Sequence, residues 1–145
     1  MRTLKSLEEA TAKFFDMHWD KSSTVSPMPW ISGWPWKGSV PYHDMAGVYA
    51  LINGEGEVVY IGLGASIGNN TYPEHGISRR LLSHVLRANK NLGNGHYKPQ
   101  AKWAEVVDIG AVGFPAEYVY LAPALEDFLI RLFKPIRNRS KVNVL

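Results

Sequence analysis

Two short runs of β-branched and aromatic residues, 48–52 and 58–61, predict the strands of a β-hairpin. The segment between them contains Asn53 and two glycines, residue types that tolerate the dihedral angles of tight turns. If four residues form the connection, the ladder pairs Tyr49 directly with Tyr60, and paired residues project from the same face of a sheet. A slip of one residue would place the two phenols on opposite faces, so this expectation depends on the register.

Apolar residues at helical spacing predict three helices, at about 7–19, 77–88 and 123–133. The first follows a capping box, in which Ser6 is the N-cap and the glutamate three residues later is its partner. Pro135 ends the third helix, because a proline there cannot continue the hydrogen-bonding pattern.

The remaining segments predict further strands and loops. We expect a polar loop at 89–100, a strand at 103–109, a turn at 110–115, and a short strand or extended segment at 117–121. Together the elements predict the α/β (α+β) class, with a small central mixed sheet, mainly antiparallel, of three to four strands flanked by helices.

The stretch 22–41 has a different character, since it holds four prolines and three tryptophans. It cannot be a regular helix, and it is too aromatic for a disordered linker. The preferred interpretation is an irregular arm packed over the sheet. The alternative is an arm whose indoles stack on bases or wedge between them. We therefore divide the chain into a helix with its arm, 1–45, and a main domain, 46–145.

The chain of 145 residues has the size of one domain with its own core. It has no apolar run long enough to cross a bilayer, no apolar signal-peptide core at its start, and no cysteine. These features predict a cytoplasmic protein without disulfides or thiolate metal sites.

The positive charge is concentrated in the second half of the chain. Net charge is only +3, but residues 75–104 hold six Lys/Arg, three His and no acidic residue. Residues 128–145 hold five Lys/Arg and again no acidic residue. This distribution suggests a polyanionic partner, nucleic acid first, while charge alone is equally compatible with a solubilising surface.

Glu126 occupies an unusual position in the third predicted helix. At 100° per residue, four apolar residues fall within about 60° of it: Ala122, Leu129, Ile130 and Phe133. Asp127 and Arg131 lie on the other side and form an ordinary exposed pair. An inward carboxylate is costly unless it is paired or binds a metal, and the position alone is equally compatible with a buried ion pair and a metal site.

Three basic side chains share one face of the second predicted helix. Arg80, His84 and Arg87 stand at positions i, i+4 and i+7, opposite the apolar stripe. Such a face is either an ordinary solvated surface or a surface that contacts phosphate.

These elements in order resemble the GIY-YIG nuclease superfamily. The chain has Gly-Val-Tyr at 47–49, Tyr-Ile-Gly at 60–62, then Arg80 with His84, and later Glu126 followed by Pro-Ile-Arg-Asn at 135–138. The arginine–histidine spacing and the last run are similar to the restriction-type and phage endonuclease branch. The resemblance covers about residues 46–138. It departs from the family at Val48, and at Leu63, where many members carry lysine.

The resemblance implies divalent-metal-dependent hydrolysis of DNA phosphodiester bonds. Glu126 would hold one Mg²⁺ or Mn²⁺ ion per site, Tyr49 would be the general base, and Arg80 would neutralise charge on the phosphate. Tyr60 and His84 would position the water or phosphate, and Asn138 would orient the site. Free tyrosine has a pKa near 10, and we expect Arg80 and the metal to lower the pKa of Tyr49.

Basic residues beside this site would grip the DNA backbone: Arg79, Arg87, Lys90, Lys98 and Lys102. Alternatives to a restriction-type or phage-type endonuclease are a structure-specific repair or recombination nuclease, and a non-catalytic nucleic-acid-binding domain of the same fold. With one active site per chain, cutting both strands requires a homodimer or two successive encounters.

Overall fold

A computed structural model describes residues 1–64 and 76–138 of the chain. Within these ranges it has three α-helices, five β-strands and short 3₁₀ turns at Ala101–Trp103, Ala116–Tyr118 and Ile136–Asn138. In chain order the helices and strands are α1 Leu4–His18, β1 Ala46–Asn53, β2 Val58–Gly64, α2 Gly76–His84, β3 Leu86–Ala88, β4 Tyr97–Pro99, β5 Val106–Phe114 and α3 Leu121–Phe133. The predicted α+β class with a mainly antiparallel sheet is confirmed.

The central sheet is antiparallel, in the order β2-β1-β5, and both of its faces are covered. Helices α1 and α3 pack on one face, where Leu7, Phe14 and Leu125 are buried. Helix α2 packs on the other face through Ile77 and Leu81. Because β1 is buried on both sides, its sequence is almost continuously apolar instead of alternating.

The register of the β1–β2 hairpin differs from the prediction by two residues. Tyr49 pairs with Gly62, and Tyr60 pairs with Leu51, so the direct pairing of the two tyrosines is wrong. Two features each shift the register by one residue. The turn is one residue longer than expected, because the Asn53 N–H donates to the carbonyl of Glu57 (2.9 Å). A β-bulge after Leu51 adds the second residue of the shift. An even shift keeps both phenols on the same face.

On each outer edge of the central sheet, one strand residue is hydrogen-bonded to a residue that lies outside the sheet. The side-chain amide of Asn138 donates to the carbonyl of Ile61 and accepts from its N–H, both at 2.9 Å, on the free edge of β2. On the free edge of β5, Ile31 exchanges two backbone hydrogen bonds of 2.8 and 2.9 Å with Ala111.

The proline- and tryptophan-rich arm lies against the domain with its indoles turned inward. The indole N–H of Trp30 donates to the Thr11 hydroxyl (3.0 Å), and that of Trp36 donates to the Val107 carbonyl (3.1 Å). Trp34 is buried, with 6% of its surface exposed. Pairing with β5 and indole hydrogen bonds together hold the arm in place.

Several predicted boundaries are wrong because remote contacts override the local pattern. Helix α1 starts a turn earlier, since the Thr3 hydroxyl, and not Ser6, caps it by accepting the Ser6 N–H at 3.1 Å. Helix α2 ends at His84, and the predicted continuation forms β3, so Arg87 lies on a strand and not on the helix face. The predicted loop 89–100 contains β4.

The segment after Glu105 also differs. The strand predicted at 103–109 starts at Val106, after a 3₁₀ turn, and continues through the predicted turn 110–115, since β1 pairs with it as far as Phe114. The segment 117–121, predicted as a short strand or an extended segment, is neither, because a 3₁₀ turn covers Ala116–Tyr118 and α3 begins at Leu121. In this turn the Tyr118 ring stacks on Trp19, with 3.8 Å between ring centroids. None of the helices in the described ranges is both long and apolar enough to traverse a bilayer.

Replacing Asn138 with alanine tests the closure of β2. The substitution leaves the buried N–H and carbonyl of Ile61 without partners, and we expect the free energy of unfolding to fall by about 2–4 kcal/mol. Urea denaturation measures this value. The control is Asn94→Ala, an exposed amide, for which the change should stay within about 0.5 kcal/mol. Equal losses in the two variants would contradict the role of Asn138.

Candidate active site

Tyr49 is the buried centre of the candidate site. It projects from the middle strand toward α2, with only 1% of its surface exposed. Its phenol ring lies over the backbone of Gly62, the residue directly opposite on β2, where an added Cβ would overlap the ring. The glycine at 62 is therefore required for Tyr49 to take this position.

Arg80 reaches the phenol of Tyr49 from helix α2. The start of the helix lies close to the sheet, since the Ile77 N–H donates to the Met45 carbonyl (3.0 Å) and a Cβ at Gly76 would overlap backbone atoms of β1 and β2. This approach brings the Arg80 guanidinium within hydrogen-bonding distance of the Tyr49 hydroxyl. Arg80 is otherwise exposed, so its remaining donors face solvent.

Glu126 lies on the buried side of α3, at 9% exposure, as its place in the apolar stripe predicts. Its negative charge acts on Tyr49 and raises the pKa of that phenol. Asp127 lies on the exposed side and pairs with Arg131 at 2.8 Å. The carboxylate at 126 is thus the buried one of the two, and its charge is close enough to Tyr49 to act on that phenol.

The pKa of Tyr49 is raised well above its ordinary value. Burial is the main cause, and the nearby phenol of Tyr60 adds to it; the Arg80 charge and hydrogen bond oppose the shift, and Glu126 adds to it. We expected Arg80 and a metal ion to lower this pKa. Arg80 acts in that direction, but among the protein groups the effect of burial is larger, so the neutral phenol predominates.

Tyr60 and His84 complete the group. The Tyr60 ring is half-buried, with its centroid 6.2 Å from that of Tyr49. His84 is exposed at the end of α2. Slight burial and the positive charges of Arg80 and Lys102 lower the pKa of His84 below 6.5, so its imidazole is mainly neutral at pH 7.

Two residues that support this group were not identified from the sequence. The indole N–H of Trp103 donates to the His84 carbonyl (2.9 Å), and its ring centroid lies 5.1 Å from that of Tyr60. The Arg137 guanidinium lies 4.1 Å from the Trp103 ring and pairs with Glu105. A lone tryptophan carries no spacing signal, although Arg137 adjoins Asn138 in the run that suggested the family.

Asn138 acts on the site through the backbone. Its amide hydrogen bonds are made with Ile61, the neighbour of Tyr60 in β2, and its side chain is 2% exposed. It therefore positions the strand that carries Tyr60 and Gly62 and does not face the solvent-accessible side of the site.

The predicted DNA-binding residues occupy two places. Arg79 is exposed on α2, and Lys102 lies close enough to His84 to affect its pKa. Arg87 and Lys98 are paired directly across β3 and β4, and Lys90 is exposed in the connection between these strands.

One buried carboxylate, that of Glu126, is compatible with the binding of a single divalent ion. Mg²⁺ is commonly held by one or two carboxylates, with water and phosphate oxygens completing its shell. Glu126 supplies one such oxygen donor group, and its charge acts on Tyr49. Among the described residues, no group of three or more His, Asp or Glu side chains is arranged to hold a metal.

Comparisons with known proteins gave no match: no protein-family model fits the chain, and neither the curated proteins nor the solved structures contain a significant relative. The resemblance to a nuclease superfamily therefore stands on the residues described above.

Alkaline unfolding tests the environment of Tyr49. Above about pH 10 the unfolded chain releases this phenolic proton while the folded protein keeps it. The free energy of unfolding should then fall as pH rises, by up to about 1.4 kcal/mol per pH unit. Tyr49→Phe should lose about 1 kcal/mol less than wild type between pH 9 and pH 11 in urea denaturation. The control Tyr120→Phe, at an exposed position, should behave as wild type; equal losses in all three proteins would contradict the burial effect.

Proposed function

We propose that this protein is a divalent-metal-dependent DNA endonuclease of restriction or phage type. One observation supports the proposal most: the buried Tyr49 is hydrogen-bonded to Arg80, its ring centroid lies 6.2 Å from that of Tyr60, and the charge of Glu126 acts on its phenol. These side chains come from β1, α2, β2 and α3. Four separate elements thus contribute a proton acceptor, a cation and a carboxylate that act on one another electrostatically, and groups of these kinds support phosphodiester hydrolysis.

In the proposed reaction a water oxygen attacks phosphorus and the bond to the leaving oxygen breaks. Tyr49, as phenolate, takes a proton from the attacking water. Arg80 holds the phenolate and donates to the phosphate oxygens as their negative charge increases. An ion held by Glu126 would supply further charge neutralisation on the phosphate and leaving oxygen.

Tyr49 and His84 accept protons in different pH ranges, because their pKa values are shifted in opposite directions. Since burial raises the pKa of Tyr49, its reactive phenolate is rare at neutral pH, and its fraction rises tenfold per pH unit below that pKa. His84, mainly neutral at pH 7, can accept the proton that Tyr49 releases. Cleavage should therefore speed up with rising pH and be suppressed where His84 is protonated.

Removing the Glu126 charge tests the metal role. We expect Glu126→Gln to lower the rate of plasmid cleavage in Mg²⁺ by about 100-fold or more. The control is Asp127→Asn, the same type of change one residue away on the exposed side of α3, which should cleave as wild type. Incubation of wild type with plasmid and with branched duplexes, with and without Mg²⁺ or Mn²⁺, gives the baseline.

The products separate the candidate functions. Discrete plasmid fragments support a restriction-type or phage-type enzyme. Cleavage of branched duplexes alone would replace it with a structure-specific nuclease. If wild type cuts neither substrate in any divalent metal, the enzymatic proposal fails, and binding without cleavage would identify a nucleic-acid-binding domain.

Removing the hydroxyl group of Tyr49 tests its proposed role as general base. Tyr49→Phe keeps the ring over Gly62, so DNA binding should be unchanged while cleavage falls by about 100-fold or more. Wild-type log rate should rise with a slope of about one per pH unit between pH 7 and pH 10, and this slope should disappear in Tyr49→Phe. Unchanged cleavage by the variant would remove Tyr49 from this role.

A further inference from the structure

The β3–β4 hairpin is attached directly to the end of α2, where His84 lies. Strand β3 starts two residues after His84. The Gln100 N–H donates to the Val85 carbonyl at 2.7 Å, and the Gln100 side chain donates to the carbonyl of Leu86 at 3.1 Å. The hairpin therefore projects from the edge of the candidate active site.

The tryptophan-rich arm braces this hairpin. The Tyr97 N–H donates to the Trp36 carbonyl (2.8 Å), and the Gly38 N–H donates to the Gly95 carbonyl (2.9 Å). The Trp34 ring packs on Tyr97 with centroids 5.8 Å apart. Two strands of three residues would be marginal alone, so these contacts hold the hairpin in a fixed orientation.

The outward face of the hairpin places two positive charges side by side. Arg87 and Lys98 are directly paired across the two strands. Like charges in this arrangement are mutually destabilising. No acidic residue occurs between residues 75 and 104, and in the described ranges neither cation takes part in an ion pair. An external anion would remove the repulsion.

The connection between the strands presents polar side chains on a defined backbone. Its ends meet through a hydrogen bond from the Asn89 N–H to the His96 carbonyl (2.9 Å), and Gly93 and Gly95 take positive φ angles of 104° and 79°. Exposed at the tip are Lys90, Asn91 and Asn94. Amide side chains of this kind form paired hydrogen bonds with adenine in the major groove.

The arm is a poorer candidate for base contacts, because the Trp30 and Trp36 indoles are hydrogen-bonded within the domain and the Trp34 ring is buried. The sequence also predicts a loop at 63–76 that could contact bases, and residues 65–75 of this loop lie outside the described residues.

We propose that the β3–β4 hairpin enters the major groove of duplex DNA beside the cleaved phosphate. Arg87 and Lys98 contact backbone phosphates, and Asn91 and Asn94 contact base edges. A two-stranded ribbon fits this groove, whereas the narrow major groove of duplex RNA excludes side chains. The inference rests on the proposed function only for the position of the cut; the DNA contact itself is measured separately.

The phosphate contacts are tested by binding, in a Glu126→Gln background that leaves the duplex intact. Adding Arg87→Gln and Lys98→Gln should weaken binding to a 25-base-pair duplex about tenfold or more and lower the slope of log affinity against log salt by about 1–2. The control pair, Lys5→Gln with Lys13→Gln, removes the same charge from exposed positions of α1 on the other side of the sheet, and should change neither value. Equal salt slopes for the two pairs overturn the proposal.

The base contacts are tested by selecting bound duplexes from a random pool. Asn91→Ala with Asn94→Ala should enrich a different or less defined sequence than the parent while retaining most of the affinity. The same enriched sequence in both, or no enriched sequence with the parent, overturns the assignment of base contacts. Equal binding to a matched RNA duplex overturns the choice of the major groove.

Two further measurements, the melting temperature of the variants and DNA cleavage by wild type, distinguish a failure of this inference from misfolding and from a failure of the proposed function. Removing the like charges should leave the melting temperature of the Arg87–Lys98 variant unchanged or higher, and the single variant Arg87→Gln serves if the double variant unfolds. Cleavage by wild type without hairpin-dependent binding would reject the inference alone. Hairpin-dependent binding without cleavage by wild type would reject the proposed function alone.

Discussion

The contact between the Tyr49 ring and the Gly62 backbone is the constraint on which the site depends. Tyr49 belongs to the middle strand, and only a residue without a Cβ on the neighbouring strand leaves room for its ring. The ring fills the space between β2 and α2, so its hydroxyl lies where Arg80 arrives from the helix. A substitution at Gly62 would therefore move the phenol, and with it the hydrogen bond and the position of Tyr60 relative to both.

The same burial creates the main chemical problem of the proposed mechanism. A phenol in this position is well oriented but poorly ionised, because the protein stabilises the neutral form more than Arg80 stabilises the charged one. Orientation is thus obtained at the expense of ionisation: the phenolate is a strong base, but little of it is present at neutral pH. A substrate phosphate and its metal would change the electrostatics of the site, and the balance between the two effects would then differ between the free and the loaded protein.

The sequence predicted the features that arise from local periodicity. The inward position of Glu126 follows from the spacing of apolar residues in α3. The prediction that Tyr49 and Tyr60 share a face of the sheet is correct, because the register differs from the predicted one by an even number of residues. The errors have a common cause. Hydrogen bonds from Gln100 determine where α2 ends, and pairing with β1 determines how far β5 extends. Both are contacts between segments that are distant in sequence. Trp103 was missed for the same reason, since its role depends on the carbonyl of His84.

Hydrogen bonds to residues outside the central sheet occupy positions on both of its edges and limit how two copies of this protein can associate. On β2 the N–H of Val58 donates to the Arg2 carbonyl and the Ile61 edge is bound by Asn138, while on β5 Ile31 occupies the edge at Ala111. At these positions a neighbouring chain cannot pair with the backbone, and this limits extension of the ladder, the usual route to strand exchange and fibril growth. If the proposed nuclease cuts both DNA strands as a dimer, contacts through helix or loop surfaces would leave these edge hydrogen bonds intact, whereas a sheet continued across two copies would break them.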